Sequence, residues 1–201
     1  MGTSESTDIG RRQAIRALAA GAVGAAAPAG WVESLAALSR QQAHAHAADA
    51  VITAQGWTPK TLTAQQNELV VALTELIIPA TDTPGAKAAR VNRFVDQVLT
   101  DAPAAVRGSF TRGLTWVDAR SRALFKKDFL TASAEQQTAL LMEMSSDVEQ
   151  DERIGREFFQ AIKGMTINGY YTSEIGLRQE LGDNGQLFLP QFQGCDHPEH
   201  Q

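Results

Sequence analysis

Residues 63–86 read TAQQNELVVALTELIIPATDTPGA, and the fold class follows from this stretch. Thr63 followed three residues later by Gln66 is a capping box, in which the hydroxyl takes an orphan N–H of the first turn and the amide reaches back to the cap. Leu69, Val70, Leu73, Leu76 and Ile77 then recur at three- and four-residue intervals, the period of a helix that buries one face. Pro79 has no N–H to give the ladder and stops the helix. Thr81-Asp82-Thr83-Pro84-Gly85 is a loop by its turn residues.

Further along the chain the same period returns. A second helix spans roughly Val91 to Leu99, with Val91, Phe94, Val95 and Val98 on one face. Asp101 and Pro103 punctuate the start of a third, in which Val106, Phe110, Leu114, Val117, Leu124 and Phe125 form an inward stripe. Ser133 and Gln136 repeat the capping box ahead of Ala139-Leu140-Leu141-Met142. Asp151 and Glu152 put negative charge where a helix macrodipole favours it, and Ile154, Phe158, Ile162 and Met165 continue from there. No long alternating strand pattern occurs. The reading is an all-α domain over residues 63–201, a compact bundle of five or six helices, preceded by a linker over 48–62. After the turn-rich run from Gly182, the apolar stretch Leu187 to Phe192 lacks helical spacing and reads as an extended tail. With Phe188 and Phe192 it is expected to pack on its own bundle or on a partner.

Residues 1–47 have a different composition. A polar start leads to Arg11-Arg12, then a weakly apolar run rich in Ala and Gly, then small residues around Ala43-His44-Ala45-His46-Ala47. Basic start, apolar middle and small-residue exit are the parts of a secretory signal. The pair Arg11-Arg12 ahead of an Ala- and Gly-rich run resembles the twin-arginine class, a route that carries proteins already folded. The expected cut lies near Ala47. An Ala-rich amphipathic helix is the alternative, weakened by Gly21, Gly24, Pro28 and Gly30. A membrane span is disfavoured, because Ala and Gly give little transfer energy over fewer than the roughly 20 strongly apolar residues required.

The whole chain has 201 residues, 18 basic and 23 acidic, a net charge of −5, and a single Cys. Removing residues 1–47 leaves 14 basic and 20 acidic residues, so the mature domain is slightly more acidic. Such a chain presents no basic field that condenses on phosphate, which makes nucleic acid and anionic lipid surfaces poor candidate partners. One Cys excludes an internal disulfide and an all-Cys metal site.

No nucleophile elbow, zinc-protease helix, Gly-rich nucleotide loop or Cys-x-x-Cys pair is present, so no catalytic residue is assigned. Cys195-Asp196-His197-Pro198-Glu199-His200 collects metal-ligating side chains, but a short tail containing Pro has no scaffold to fix their geometry, and a solvated tail is the preferred reading. Cys195 in an oxidising compartment is a buried thiol, a free surface thiol or half of a disulfide to another subunit. Asp82, before Pro84 and Gly85, reads as a carboxylate bonding its own backbone and not as an acid catalyst. Tyr170 and Tyr171 read as a helix-end pair, one ring buried and one half-exposed, anchoring the loop that follows.

With Arg11-Arg12 at the front, the segments Leu76-Ile77-Ile78-Pro79-Ala80-Thr81-Asp82-Thr83-Pro84-Gly85-Ala86 and Gly169-Tyr170-Tyr171-Thr172-Ser173-Glu174-Ile175-Gly176 together resemble the gluconate 2-dehydrogenase small subunit family, also called subunit 3 or gamma. The likeness runs from about Leu69 to Cys195. It implies a small exported protein that accompanies a flavin-dependent catalytic subunit of the glucose-methanol-choline type, often with a cytochrome c subunit. FAD is then expected in the partner and heme c in the third subunit, with no cofactor in this chain. The resemblance also implies that this chain's leader takes a leaderless catalytic subunit through the twin-arginine translocation machinery, placing both in the periplasm or on the periplasmic side of the membrane. Asp82, Pro84, Gly85, Tyr170, Tyr171, Phe188, Phe192 and Cys195 are the candidate partner-facing residues. The alternatives are a free-standing exported helical binding protein and, behind it, a small metal-binding protein using Cys195, His197 and His200.

Overall fold

The Thr63 hydroxyl accepts the Gln66 N–H at 3.2 Å, and the Gln66 side-chain oxygen accepts the Thr63 N–H at 2.9 Å, so the expected capping box is complete. Ser133 and Gln136 make the same reciprocal pair at 3.3 and 3.0 Å. The computed structural model describes residues 29–48, 57–146 and 153–185. Arg11, Arg12, Phe188, Phe192 and Cys195 lie outside the described residues.

The α-helices in chain order are α1 (Trp31–Ala48), α2 (Ala64–Ile77), α3 (Val91–Asp101), α4 (Ala104–Phe125), α5 (Ala134–Ser145) and α6 (Arg153–Tyr171). A 3₁₀ turn, Phe129–Thr131, and a π-helical turn, Ile175–Glu180, complete the set. Every regular element among the described residues is helical.

Helix α6 is the axis of the bundle and touches each of the other five helices. Its inward side carries Phe158, Ile162, Met165 and Tyr170, all buried. Phe158 meets Phe110 of α4 with ring centroids 5.1 Å apart and planes tilted by 57°, a geometry that adds about 0.5–1.5 kcal/mol to the burial itself. Close approach depends on glycine: a Cβ on Gly169 would come within 2.8 Å of Phe94 Cδ1 on α3. The expected inward stripes are buried, or half-buried at Leu76, Ile77, Phe125 and Leu141, except at two exposed positions. Leu124 is 42% exposed and Ile154 50%. Both sit in terminal turns, Leu124 at the end of α4 and Ile154 at the start of α6, where the stripe outruns the element it faces.

All but the last residue of helix α1 lies in residues 1–47, which the sequence reading gives to export, yet the helix is packed in the bundle, so the bundle reaches back beyond Thr63. Trp31, Leu35, Ser39 and Ala43 follow one another at four-residue intervals and are buried. The pairing of α1 with α6 is the most extensive between helices. Two polar contacts cross it, Trp31 Nε1 donating to Glu157 at 2.8 Å and Asn168 Nδ2 to Ser39 Oγ at 2.7 Å, and Gln42 Nε2 donates to Asp101 of α3 at 2.6 Å. Small side chains at Ser39 and Ala43 allow close approach, and full burial of Leu35 contributes about 1.5–3 kcal/mol.

The stretch ahead of α2 is held by one buried carboxylate. Asp96 of α3 is 2% exposed and accepts the N–H groups of Lys60, Thr61 and Leu62 at 2.7, 3.0 and 2.9 Å. Arg93, one turn earlier, stacks its guanidinium 5.2 Å from the centroid of the Trp57 ring.

Candidate functional site

The motif residues meet at one end of the bundle, where residues 79–90 between α2 and α3 pack against the C-terminus of α6. The turn signals in Pro79 to Gly85 produce an irregular segment whose backbone polar groups need partners. Glu75, in the last turns of α2, supplies two: its carboxylate accepts the Ala80 N–H at 3.1 Å and the Lys87 N–H at 2.7 Å. Gly85 is buried directly against that carboxylate. A Cβ there would lie 2.5 Å from the Ala80 nitrogen and 2.6 Å from Glu75 Oε1, so a side chain at 85 would open the loop.

From the other side, Tyr170 donates its hydroxyl to the Pro84 carbonyl at 2.8 Å. Its ring is 1% exposed. Tyr171 is half-buried and meets the Tyr170 ring edge-on, with centroids 5.2 Å apart and planes at 90°. The expected division into one buried and one half-exposed ring is observed, but the Tyr170 hydroxyl anchors the loop before α3, while its backbone carbonyl meets the segment that follows it. Beyond the pair, Ser173 Oγ donates to the Tyr170 carbonyl at 2.6 Å and accepts the Gly176 N–H at 3.1 Å. Gly176 is packed so tightly on the Tyr170 carbonyl that only glycine fits. The π-helical turn that follows returns Glu180 to the loop, where it accepts the Thr83 hydroxyl at 2.5 Å.

Asp82 stands at the exposed tip. The Thr81 hydroxyl donates to it at 2.9 Å, and this bond, with backbone N–H groups of Asp82 itself and of Thr83, holds its carboxyl below the ordinary carboxylate range. It is therefore charged at neutral pH and is built into the turn. Of the candidate partner-facing residues, Gly85 and Tyr170 are interior and shape the loop, Pro84 and Tyr171 are half-buried, and Asp82 is exposed. Leu181, just past the π-helical turn, adds an apolar surface at 59% exposure.

Glu75, Thr83, Ser173 and Glu180 are the site residues that sequence reading passes over. Glu75 binds backbone five and twelve residues ahead, and Glu180 binds Thr83 across 97 residues, so neither leaves a local pattern.

Away from this end, an open depression of about 200 Å³ lies between the start of α2 and the middle of α4, lined by Thr63, Gln66, Leu114, Asp118 and Arg122 among others. Its charged groups are already engaged: Asp118 accepts the Phe129 N–H at 3.1 Å, and Arg122 pairs with Asp128. Among the described residues no group of three or more His, Cys, Asp or Glu side chains is placed to hold a metal ion. No described helix is long and apolar enough to cross a membrane. The polar side chains described at this end are bonded to one another or to backbone.

Residues 64–185 match the family model described as gluconate 2-dehydrogenase subunit 3. The match opens on the first residue of α2 and takes in both motif segments and the π-helical turn. No curated protein and no solved structure matches the chain. The chain belongs to the gluconate 2-dehydrogenase subunit 3 family, by its description a subunit of a dehydrogenase complex.

Proposed function

We propose that this chain is the non-catalytic accessory subunit of an exported dehydrogenase complex acting on sugars or sugar acids. In this reading it assists the folding and twin-arginine export of a flavin-dependent catalytic subunit of the glucose-methanol-choline type. FAD is carried by that partner, and heme c by a cytochrome c subunit where the complex has one. The complex works in the periplasm or on the periplasmic side of the membrane.

The observation that carries this reading is the family match across residues 64–185. The geometry of the candidate site supports it. A loop tied down by Glu75, Tyr170 and Glu180 costs little further ordering when a partner docks, and pre-ordering of that kind favours association. A catalytic chain that binds the folded bundle and not the unfolded one stabilises both by mass action.

The test is deletion of this chain from cells that make the complex. The catalytic subunit is then expected in the cytoplasm or in the insoluble fraction, and periplasmic dye-linked dehydrogenase activity is lost. Normal export and normal activity of the catalytic subunit in the deletion strain would refute the proposal.

A further inference from the structure

Both small-residue triplets near the expected cut, Ala43-His44-Ala45 and Ala45-His46-Ala47, lie inside α1. A peptidase takes its substrate as an extended strand, so a bond within a helix is cut only after several residues on each side unwind. For a docked helix that opening carries the free energy of its tertiary contacts. The helix is fastened at Trp31 to Glu157, at Ser39 to Asn168 and at Gln42 to Asp101, and Leu35 and Ala43 are buried. The twin-arginine route delivers a folded chain, so a peptidase on the far side meets α1 already in place.

The small-x-small triplets next upstream, Ala37-Leu38-Ser39 and Ser34-Leu35-Ala36, also lie inside α1, and the first one ahead of the helix is Ala27-Pro28-Ala29. Ala29 and Gly30 are exposed and precede the helix, and Gly30 has φ of +77°. We infer that α1 belongs to the finished subunit and that the export segment ends at the bond between Ala29 and Gly30. This rests on the proposed export of the chain. Hydrolysis there adds one water across the peptide bond, leaving a carboxylate on Ala29 and an amino group on Gly30. The Gly30 carbonyl, which accepts both the N–H and the hydroxyl of Ser34 at 2.9 Å, stays with the helix. The new ammonium stands in the first turn with Glu33, whose carboxylate offsets its unfavourable position at the positive end of the helix dipole.

The test uses the purified full-length chain and a purified bacterial signal peptidase in detergent micelles, with the product read by intact mass. The expected product begins at Gly30, and Ala29→Leu abolishes it while Ala45→Leu and Ala47→Leu leave it unchanged. A product beginning at His46 or Ala48, or no cut at all, overturns the assignment. In the same full-length chain Leu35→Ala is expected to lower the melting temperature by about 5–15 °C. An unchanged melting temperature would mean that α1 is not part of the folded core. Failure of the export reading is seen separately: replacing Arg11 and Arg12 by Lys would then leave the chain's cellular location unchanged.

Discussion

Tyr170 reaches across 86 residues of sequence to donate its hydroxyl to the Pro84 carbonyl, joining the end of the central helix to the loop that carries the exposed Asp82. Removing the hydroxyl while keeping the ring isolates this bond. Tyr170→Phe is expected to cost about 1 kcal/mol, the net value of one hydrogen bond, because the Pro84 carbonyl loses its partner. Chemical denaturation measures the loss, and amide exchange measured by mass spectrometry is expected to quicken in peptides covering 80–87 while α4 stays protected. If the loop is a docking element, affinity for the catalytic subunit falls with it.

The buried Asp96 carboxylate holds three backbone N–H groups from residues 60–62. Asp96→Ala strands all three and is expected to cost about 3 kcal/mol or more. Asp96→Asn keeps one acceptor oxygen but turns the other into a donor facing an N–H, so an intermediate loss is expected. Urea denaturation of the two variants beside the parent chain gives the order, and equal loss in both would contradict this account.

Glu157 joins α1 to α6 in a way that depends on pH. Burial raises its pKa, but bonds from Arg153 and Trp31 and the charges of Arg153 and Arg156 outweigh that, and the net shift is downward. A carboxyl whose folded pKa lies below its unfolded value near 4.3 binds more protons when unfolded. Its contribution is therefore fully present above the unfolded pKa and is lost as pH falls through the folded pKa. Glu157→Gln is expected to lower stability at pH 7 and to bring the variant and parent curves together as the pH is taken below 4. Thermal melts across pH 3–7 check the sign, and a gap that widens in acid would contradict it.

Ser121 of α4 is fully buried, and its hydroxyl has no hydrogen-bond partner among the described residues. Ser121→Ala removes an unsatisfied polar atom and places the best helix former at an interior helical position. Stability is expected to rise by about 1 kcal/mol, seen as a higher midpoint in urea at unchanged slope. A fall would mean that the hydroxyl has a partner after all.

Local chemistry accounts for what was legible in the sequence. Thr63 with Gln66, and Ser133 with Gln136, act within one turn, so four adjacent residues suffice to place the starts of α2 and α5. The stripes of α3 and α6 repeat with large apolar residues and are equally plain. Helix α1 was hidden because its inward face is Trp31, Leu35, Ser39 and Ala43, where two of four positions are small and one is polar, so hydrophobic periodicity fades against an Ala-rich background. Its partner is a helix more than a hundred residues away. The candidate site was half legible: Asp82, Pro84 and Gly85 stand in a recognisable turn and the tyrosines at a helix end, whereas Glu75 and Glu180 act through backbone and hydroxyl groups that no spacing rule connects to them.

The packing of α1 on α6 also orders events during synthesis. The first described helix to leave the ribosome must wait for the last one, and at roughly 5–20 residues per second the intervening chain takes on the order of 5–20 s to make. Throughout that interval α1 has at most α3 and α4 to lie against, and its most extensive packing, with the Trp31 bond to Glu157, forms only when residues 153–171 emerge. Closure of the core therefore waits for residues 153–171, and a chain terminated before them would betray itself by an incompletely covered first helix.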